Sequence, residues 1–174
     1  DLTNSVFIQV DDRTVRVKNS VFHEAEKKTL KLEGVRLAGY RTICPATVYD
    51  RDTIKNIDGI IQTVTAFVKE NTRGRLDESS YTVNFRKSGG EESSLGMVID
   101  VVGRTQAIAD EICALVRSRM LHCDYPGRKS TAGNLAFPFS PSDIHAGEVY
   151  TFSVFHLAQV DSLMETAKLQ LEEI

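Results

Sequence analysis

The stretch VRLAGYRTICPATVYDRDTIKNIDGIIQTVTAFV, residues 35–68, decides the fold because it places a strand pattern directly before a helix pattern. Val35–Ile43 predicts a strand, and Asp50 or Asp52 is suited to cap the helix that follows. Apolar residues then recur at spacings of three and four, which predicts one buried helical stripe. The stripe consists of Ile54, Ile57, Ile60, Ile61, Val64, Phe67 and Val68.

The downstream sequence continues the alternation of strands and helices. Tyr81–Phe85 and Leu95–Val102 predict two strands, Thr105 is placed to cap a second helix, and Val149–Leu157 predicts a final strand. From Val35 the order is β-α-β-β-α-β. This order predicts an α+β fold of the ferredoxin-like split type, with both helices on one face of a four-stranded antiparallel sheet.

The N-terminal residues lie outside that pattern. Val6–Val10 and Thr14–Val17 flank an Asp pair and predict a β-hairpin. We therefore divide the chain into residues 1–33, a hairpin and connection expected to end a missing upstream domain, and residues 34–174, a ferredoxin-like domain. The second region contains one long loop, residues 124–148.

Composition limits the classes of function. The chain has 174 residues, of which 41% are hydrophobic and 26% charged, with a formal net charge of −3. These values are ordinary for one globular domain. They show no excess of basic residues that would bind nucleic acid or a membrane surface. Three widely spaced cysteines argue against a disulfide framework, and zinc-binding spacings are absent. We expect a cytoplasmic protein without a metal site, a nucleic-acid partner or a membrane partner.

The loop Tyr125–Asp143 is the main candidate for a binding site. Its glycines let backbone amides approach a ligand, and its cations supply positive charge. In this hypothesis Arg128 and Lys129 bind a carboxylate or a phosphate, and three neighbours orient it. Those neighbours are Ser130, Thr131 and Asn134.

An alternative interpretation makes the same loop a packing element. Lys129 precedes Gly133, so the loop is not a P-loop. Phe137 and Phe139 would then anchor the loop to the sheet edge.

The remaining chemically active residues are weaker candidates. Cys44 is expected to be a small buried hydrophobe, and the neighbours His122 and Cys123 cannot readily adopt the geometry of a base and its nucleophile. His156 fits a hydrogen-bonded strand residue, and Ser140–Asp143 fits either a pocket wall or a turn cap. The sequence assigns no catalytic residue, no reaction and no cofactor.

Four segments resemble AtuA-like proteins, the acyclic terpene utilisation family. They are Tyr125–Asp143, Leu32–Thr42, Ala114–Ser118 and Val149–His156. The resemblance implies the C-terminal portion of a longer metabolic protein that acts on a carboxylic acid or acyl-CoA in terpene or branched-acid catabolism. A coenzyme A thioester would then be a substrate. The family supplies no catalytic residues to transfer.

A second hypothesis is a non-catalytic assembly module. An open sheet face could pair with another subunit, although fold alone is weak evidence for function. Residues Val160–Ile174 could form a short amphipathic helix or a tail that docks on a partner. In this hypothesis the chain forms a homo-oligomer or binds a companion subunit.

Overall fold

The computed structural model describes residues 1–90, 94–128 and 132–162. The chain divides into two compact units. One is Val35–Phe152, and the other combines Asp1–Gly34 with the residues from Ser153 onward. The predicted helix or tail at Val160–Ile174 falls almost entirely outside the described residues.

Three helices and six strands form the described structure. The strands are β1 (Val6–Asp11), β2 (Thr14–Lys18), β3 (Thr29–Val48), β4 (Tyr81–Gly89), β5 (Leu95–Gly103) and β6 (Ile144–Gln159). The helices are α1 (Arg51–Lys55), α2 (Ile57–Thr72) and α3 (Gln106–His122), and a short 3₁₀ turn covers Glu78–Ser80. Strands β1 and β2 form a two-stranded antiparallel sheet, and the other four form a sheet in the order β4-β5-β3-β6.

The prediction of a simple ferredoxin-like split is wrong. The described residues contain three helices, because the first predicted helix is two, and their four-stranded sheet has the order β4-β5-β3-β6. Strands β3 and β6 contain 20 and 16 residues and extend well beyond the predicted strands. Residues from Thr29 to Gly34, predicted as a connection, belong to β3. The α+β class and the β1–β2 hairpin are confirmed.

Local hydrogen bonds explain why the first predicted helix is two helices. The Asp50 carboxylate accepts the Thr53 N–H at 2.7 Å and caps α1. The backbone N–H of Asn56 donates to the carbonyls of Asp52 and Thr53, and Asn56 then leaves helical geometry at φ −96° and ψ 4°. Helix α2 begins at the next residue.

The core of Val35–Phe152 lies between the sheet and helices α2 and α3. Alternate residues of β3 and β5 are buried together with one stripe from each helix. Strand β5 pairs with β3 and β4 on its two sides, with Cys44 opposite Ile99 and Phe85 opposite Ile99. Across this pairing Gly39 lies so close to strand β5 that a Cβ atom would be 2.4 Å from the Gly103 carbonyl oxygen.

Asp100 occupies the sheet surface opposite the core. It follows the buried Ile99 on β5, so its side chain emerges on the other face. The carboxylate accepts hydrogen bonds from Arg41 on β3 at 2.9 Å and from Arg86 on β4 at 2.9 Å. Asp100 is only 2% exposed. Charge pairing therefore links three adjacent strands.

Candidate functional site

Arg128, the leading residue of the predicted anion site, binds the C-terminal end of α3. Its guanidinium donates to the carbonyl oxygens of His122 at 3.3 Å, Cys123 at 3.2 Å and Ala132 at 2.8 Å. The last carbonyls of a helix lack N–H partners within the helix, and a basic side chain can supply them. Arg128 therefore has a structural role in holding the loop to the helix.

Asn134 binds the same helix end from the other side of the loop. Its side-chain amide donates to the carbonyls of Met120 at 3.0 Å and Cys123 at 2.8 Å. Its backbone N–H donates to Leu121 at 2.9 Å, and the residue is 7% exposed. The structure thus brings two of the five predicted site residues together. Lys129, Ser130 and Thr131 lie outside the described residues.

Arg128 and Asn134 also line a pocket of about 210 Å³. The pocket is enclosed by the end of β3, the start of α1 and the loop after α3. An antiparallel bridge between Thr47 and Ala136 joins β3 to this loop, with both N–H to carbonyl distances at 2.8 Å. The wall is formed by Thr47, Tyr49, Asp50, Thr53, Tyr125, Arg128 and residues 132–136.

A hydrogen-bonded trio of Asp50, Thr53 and Tyr125 forms one side of the pocket. The Thr53 hydroxyl donates to Asp50 Oδ2 at 2.8 Å, and the Tyr125 hydroxyl donates to the same oxygen at 3.1 Å. The two hydroxyls lie 2.8 Å apart. The side-chain and backbone hydrogen bonds from Thr53 lower the pKa of Asp50. Asp50 is therefore an anion at neutral pH.

The sequence predicted only part of this pocket. Asp50 was identified as a helix cap, which is confirmed, but its exposure to a pocket was missed. Tyr125 was known only as the start of the long loop. Tyr49 lies in the loop between β3 and α1, and Tyr125 lies in the loop after α3. Only the tertiary structure brings those loops together.

A second polar cluster lies between α3 and the strands beside it. The Thr42 hydroxyl donates to Asp110 at 2.5 Å, and the Gln106 amide donates to the same carboxylate at 2.8 Å. His145 Nε2 lies 3.1 Å from the other oxygen of Asp110. Farther along α3, Arg117 donates to Asp143 at 2.8 Å. These contacts tie the start of β6 to α3.

The cysteines behave as core residues. Cys44, Cys113 and Cys123 are all unpaired and buried, which confirms the prediction for Cys44. Burial raises the pKa of Cys44 to about 11 and that of Cys113 to about 12, and the Asp143 carboxylate adds to both shifts. A thiol with a raised pKa is a poor nucleophile at neutral pH.

The remaining predicted candidates lie in different parts of the fold. Ser142 donates to Asp143 at 3.2 Å, and Asp143 in turn pairs with Arg117 of α3 at 2.8 Å. Phe137 packs on the core as predicted, whereas Phe139 is 57% exposed, so its predicted anchoring role is wrong. His156 lies on an exposed part of β6.

No protein-family model, curated protein or solved structure matches this chain. Within residues 1–90, 94–128 and 132–162, no helix combines the length and apolar character needed to cross a bilayer. The same ranges contain no group of three or more His, Cys, Asp or Glu residues placed to hold a metal ion.

Proposed function

We propose that this chain is an assembly domain that pairs with a second copy of itself through the unit containing β1 and β2. The observation behind this proposal is the exposure of large apolar side chains in that unit. Phe7 is 64% exposed, Phe22 88% and Phe155 71%. Apolar surface of this extent is typical of protein interfaces.

One face of the β1–β2 hairpin carries three apolar side chains and one glutamine. Phe7 pairs with Val17 and Gln9 pairs with Val15 across the antiparallel ladder, so these four side chains share one face. We call them the hairpin face. The opposite face pairs Ile8 with Arg16. A two-stranded sheet of this kind is at best marginally stable in water, and covering its apolar face would stabilise it.

A second copy is favoured as the partner because the segment that contains the hairpin, residues 1–34, is balanced in charge. Residues 1–34 contain six Lys or Arg and six Asp or Glu. A surface with no net charge neither repels an identical surface nor selects a strongly charged partner. Twofold pairing of identical patches is also the commonest form of protein association.

A polar substitution on the hairpin face tests this proposal. Phe7→Ser should weaken association by about 100-fold or more, because burial of a Phe contributes about 1.5–3 kcal/mol and a twofold dimer loses it twice. Phe139→Ser is the matched control, since Phe139 is similarly exposed but lies in the other unit. Size-exclusion chromatography with light scattering measures both. Equal association of the two variants would contradict the proposal.

A second proposal retains the metabolic role implied by the AtuA-like resemblance, action on a carboxylic acid or acyl-CoA. Its support is that Arg128 and Asn134 line one pocket. Isothermal titration of carboxylates and acyl-CoA thioesters should show binding to the wild type and weaker binding to Arg128→Ala. Equal binding by the two proteins would contradict a role of Arg128, and circular dichroism would establish that the variant is folded.

A further inference from the structure

The pocket beside α1 contains one charge of each sign. Asp50 contributes an ionised carboxylate, held by hydrogen bonds from Thr53 and Tyr125. Arg128 contributes the positive charge of its guanidinium. Both residues line the same space of about 210 Å³.

We propose that this pocket binds a small zwitterionic amino acid, with its ammonium group toward Asp50 and its carboxylate toward Arg128. The proposal deepens the carboxylic-acid function and rests on the same pocket. A simple carboxylate is attracted by Arg128 but repelled by Asp50. A protonated simple amine is attracted by Asp50 but repelled by Arg128. A ligand that carries both groups complements both residues.

Arg128 retains donors for such a ligand. A guanidinium has five N–H donors in a planar fork, and the carbonyls of His122, Cys123 and Ala132 are three acceptors. These contacts also fix the position of the charge, so a ligand would meet a guanidinium that is already ordered. Such preorganisation lowers the entropic cost of binding.

The size of the pocket suits a small ligand. A volume of about 210 Å³ is smaller than the roughly 300–1,000 Å³ of pockets that take drug-sized ligands. An amino acid with a short side chain fits this space. The exposed ring of Tyr49 beside Asp50 adds an aromatic surface that favours a cationic group.

The test is to titrate the whole chain with glycine, β-alanine and 4-aminobutyrate and to monitor binding by NMR chemical shifts. Acetate and ethylamine provide the carboxylate and the amine alone. At least one zwitterion should bind about 10-fold more tightly than both single-charge probes. If acetate binds as tightly as every zwitterion, the pocket is a plain acid site, which overturns this inference and leaves the carboxylic-acid function standing. Binding of no probe overturns this inference, and the titration with larger carboxylates and acyl-CoA thioesters then decides the carboxylic-acid function.

Asp50→Asn gives the decisive variant. Asparagine caps a helix about as well as aspartate, so α1 keeps its N-cap while the charge is removed. Zwitterion affinity should fall about 10-fold or more, to the level of acetate. Asp52→Asn is the control because it removes a nearby charge of α1 that does not line the pocket. Unchanged zwitterion affinity in Asp50→Asn would overturn the proposal.

Discussion

Replacement of Asn134 by alanine should destabilise the chain by about 2 kcal/mol. The substitution removes two buried side-chain hydrogen bonds, to Met120 at 3.0 Å and to Cys123 at 2.8 Å. Each such bond contributes about 1 kcal/mol net. Both carbonyls accept a second donor, from the Cys123 N–H and from Arg128 respectively, so neither is left wholly unsatisfied. The loss should therefore stay near the sum of the two bonds.

Urea unfolding followed by circular dichroism at a fixed protein concentration measures this loss. The unfolding midpoint should fall while the slope stays unchanged. The matched control is Asn71→Ala, since the Asn71 amide also donates to a backbone carbonyl, that of Phe67 at 2.8 Å, but is exposed. The control should change the free energy of unfolding by about 0.5 kcal/mol or less. Equal losses in the two variants would refute the assignment of Asn134 as a buried cap of α3.

Two further predictions concern backbone fit and thiol burial. Gly39→Ala should destabilise the chain by about 2 kcal/mol or more, because its Cβ would lie 2.4 Å from the Gly103 carbonyl oxygen. Gly59→Ala, at an exposed position of α2, should stabilise the chain by about 0.5–1 kcal/mol. Thermal denaturation of both variants checks the opposite signs. Raised folded-state pKa values of Cys44 and Cys113 mean that the unfolded chain releases these protons first, so stability should fall above about pH 9. Between pH 8 and pH 10, the free energy of unfolding should fall by about 1.4 kcal/mol less in Cys113→Ala than in the wild type. Urea unfolding measures both falls, and identical values would contradict the burial argument.

Local patterns in the sequence predicted the elements of the core well. The apolar stripe from Ile57 to Val68 is buried in α2, and the alternation in Leu95–Val102 matches the buried face of β5. Caps at Asp50 and Thr105 were also correct. These features depend on residues that are close in sequence, so periodicity and capping chemistry are sufficient to identify them.

The lengths of β3 and β6 could not be predicted in the same way. Burial of one strand face produces the alternation that identifies a strand, but in β6 Phe152, Val154, Phe155 and Leu157 are all exposed. The sequence therefore carries apolar side chains on both faces there. Such a pattern is expected where a partner covers what the single chain leaves open.

The candidate pocket was also only partly predictable. Charge and polarity make Arg128 and Asn134 candidates in the sequence, but the sequence could not show that both donate to the end of α3. Asp50 comes from a loop about 75 residues before Tyr125, and only the fold brings the two within 3.1 Å. Long-range contacts of this kind have no signature in local spacing.

The most direct test of the assembly proposal is sedimentation velocity of the wild-type chain over a range of concentrations. We predict a reversible equilibrium in which the species at high concentration has twice the mass of the chain. Phe7→Ser should shift this equilibrium toward the single chain. A single chain at every concentration, with no change in the variant, would contradict pairing through the hairpin face.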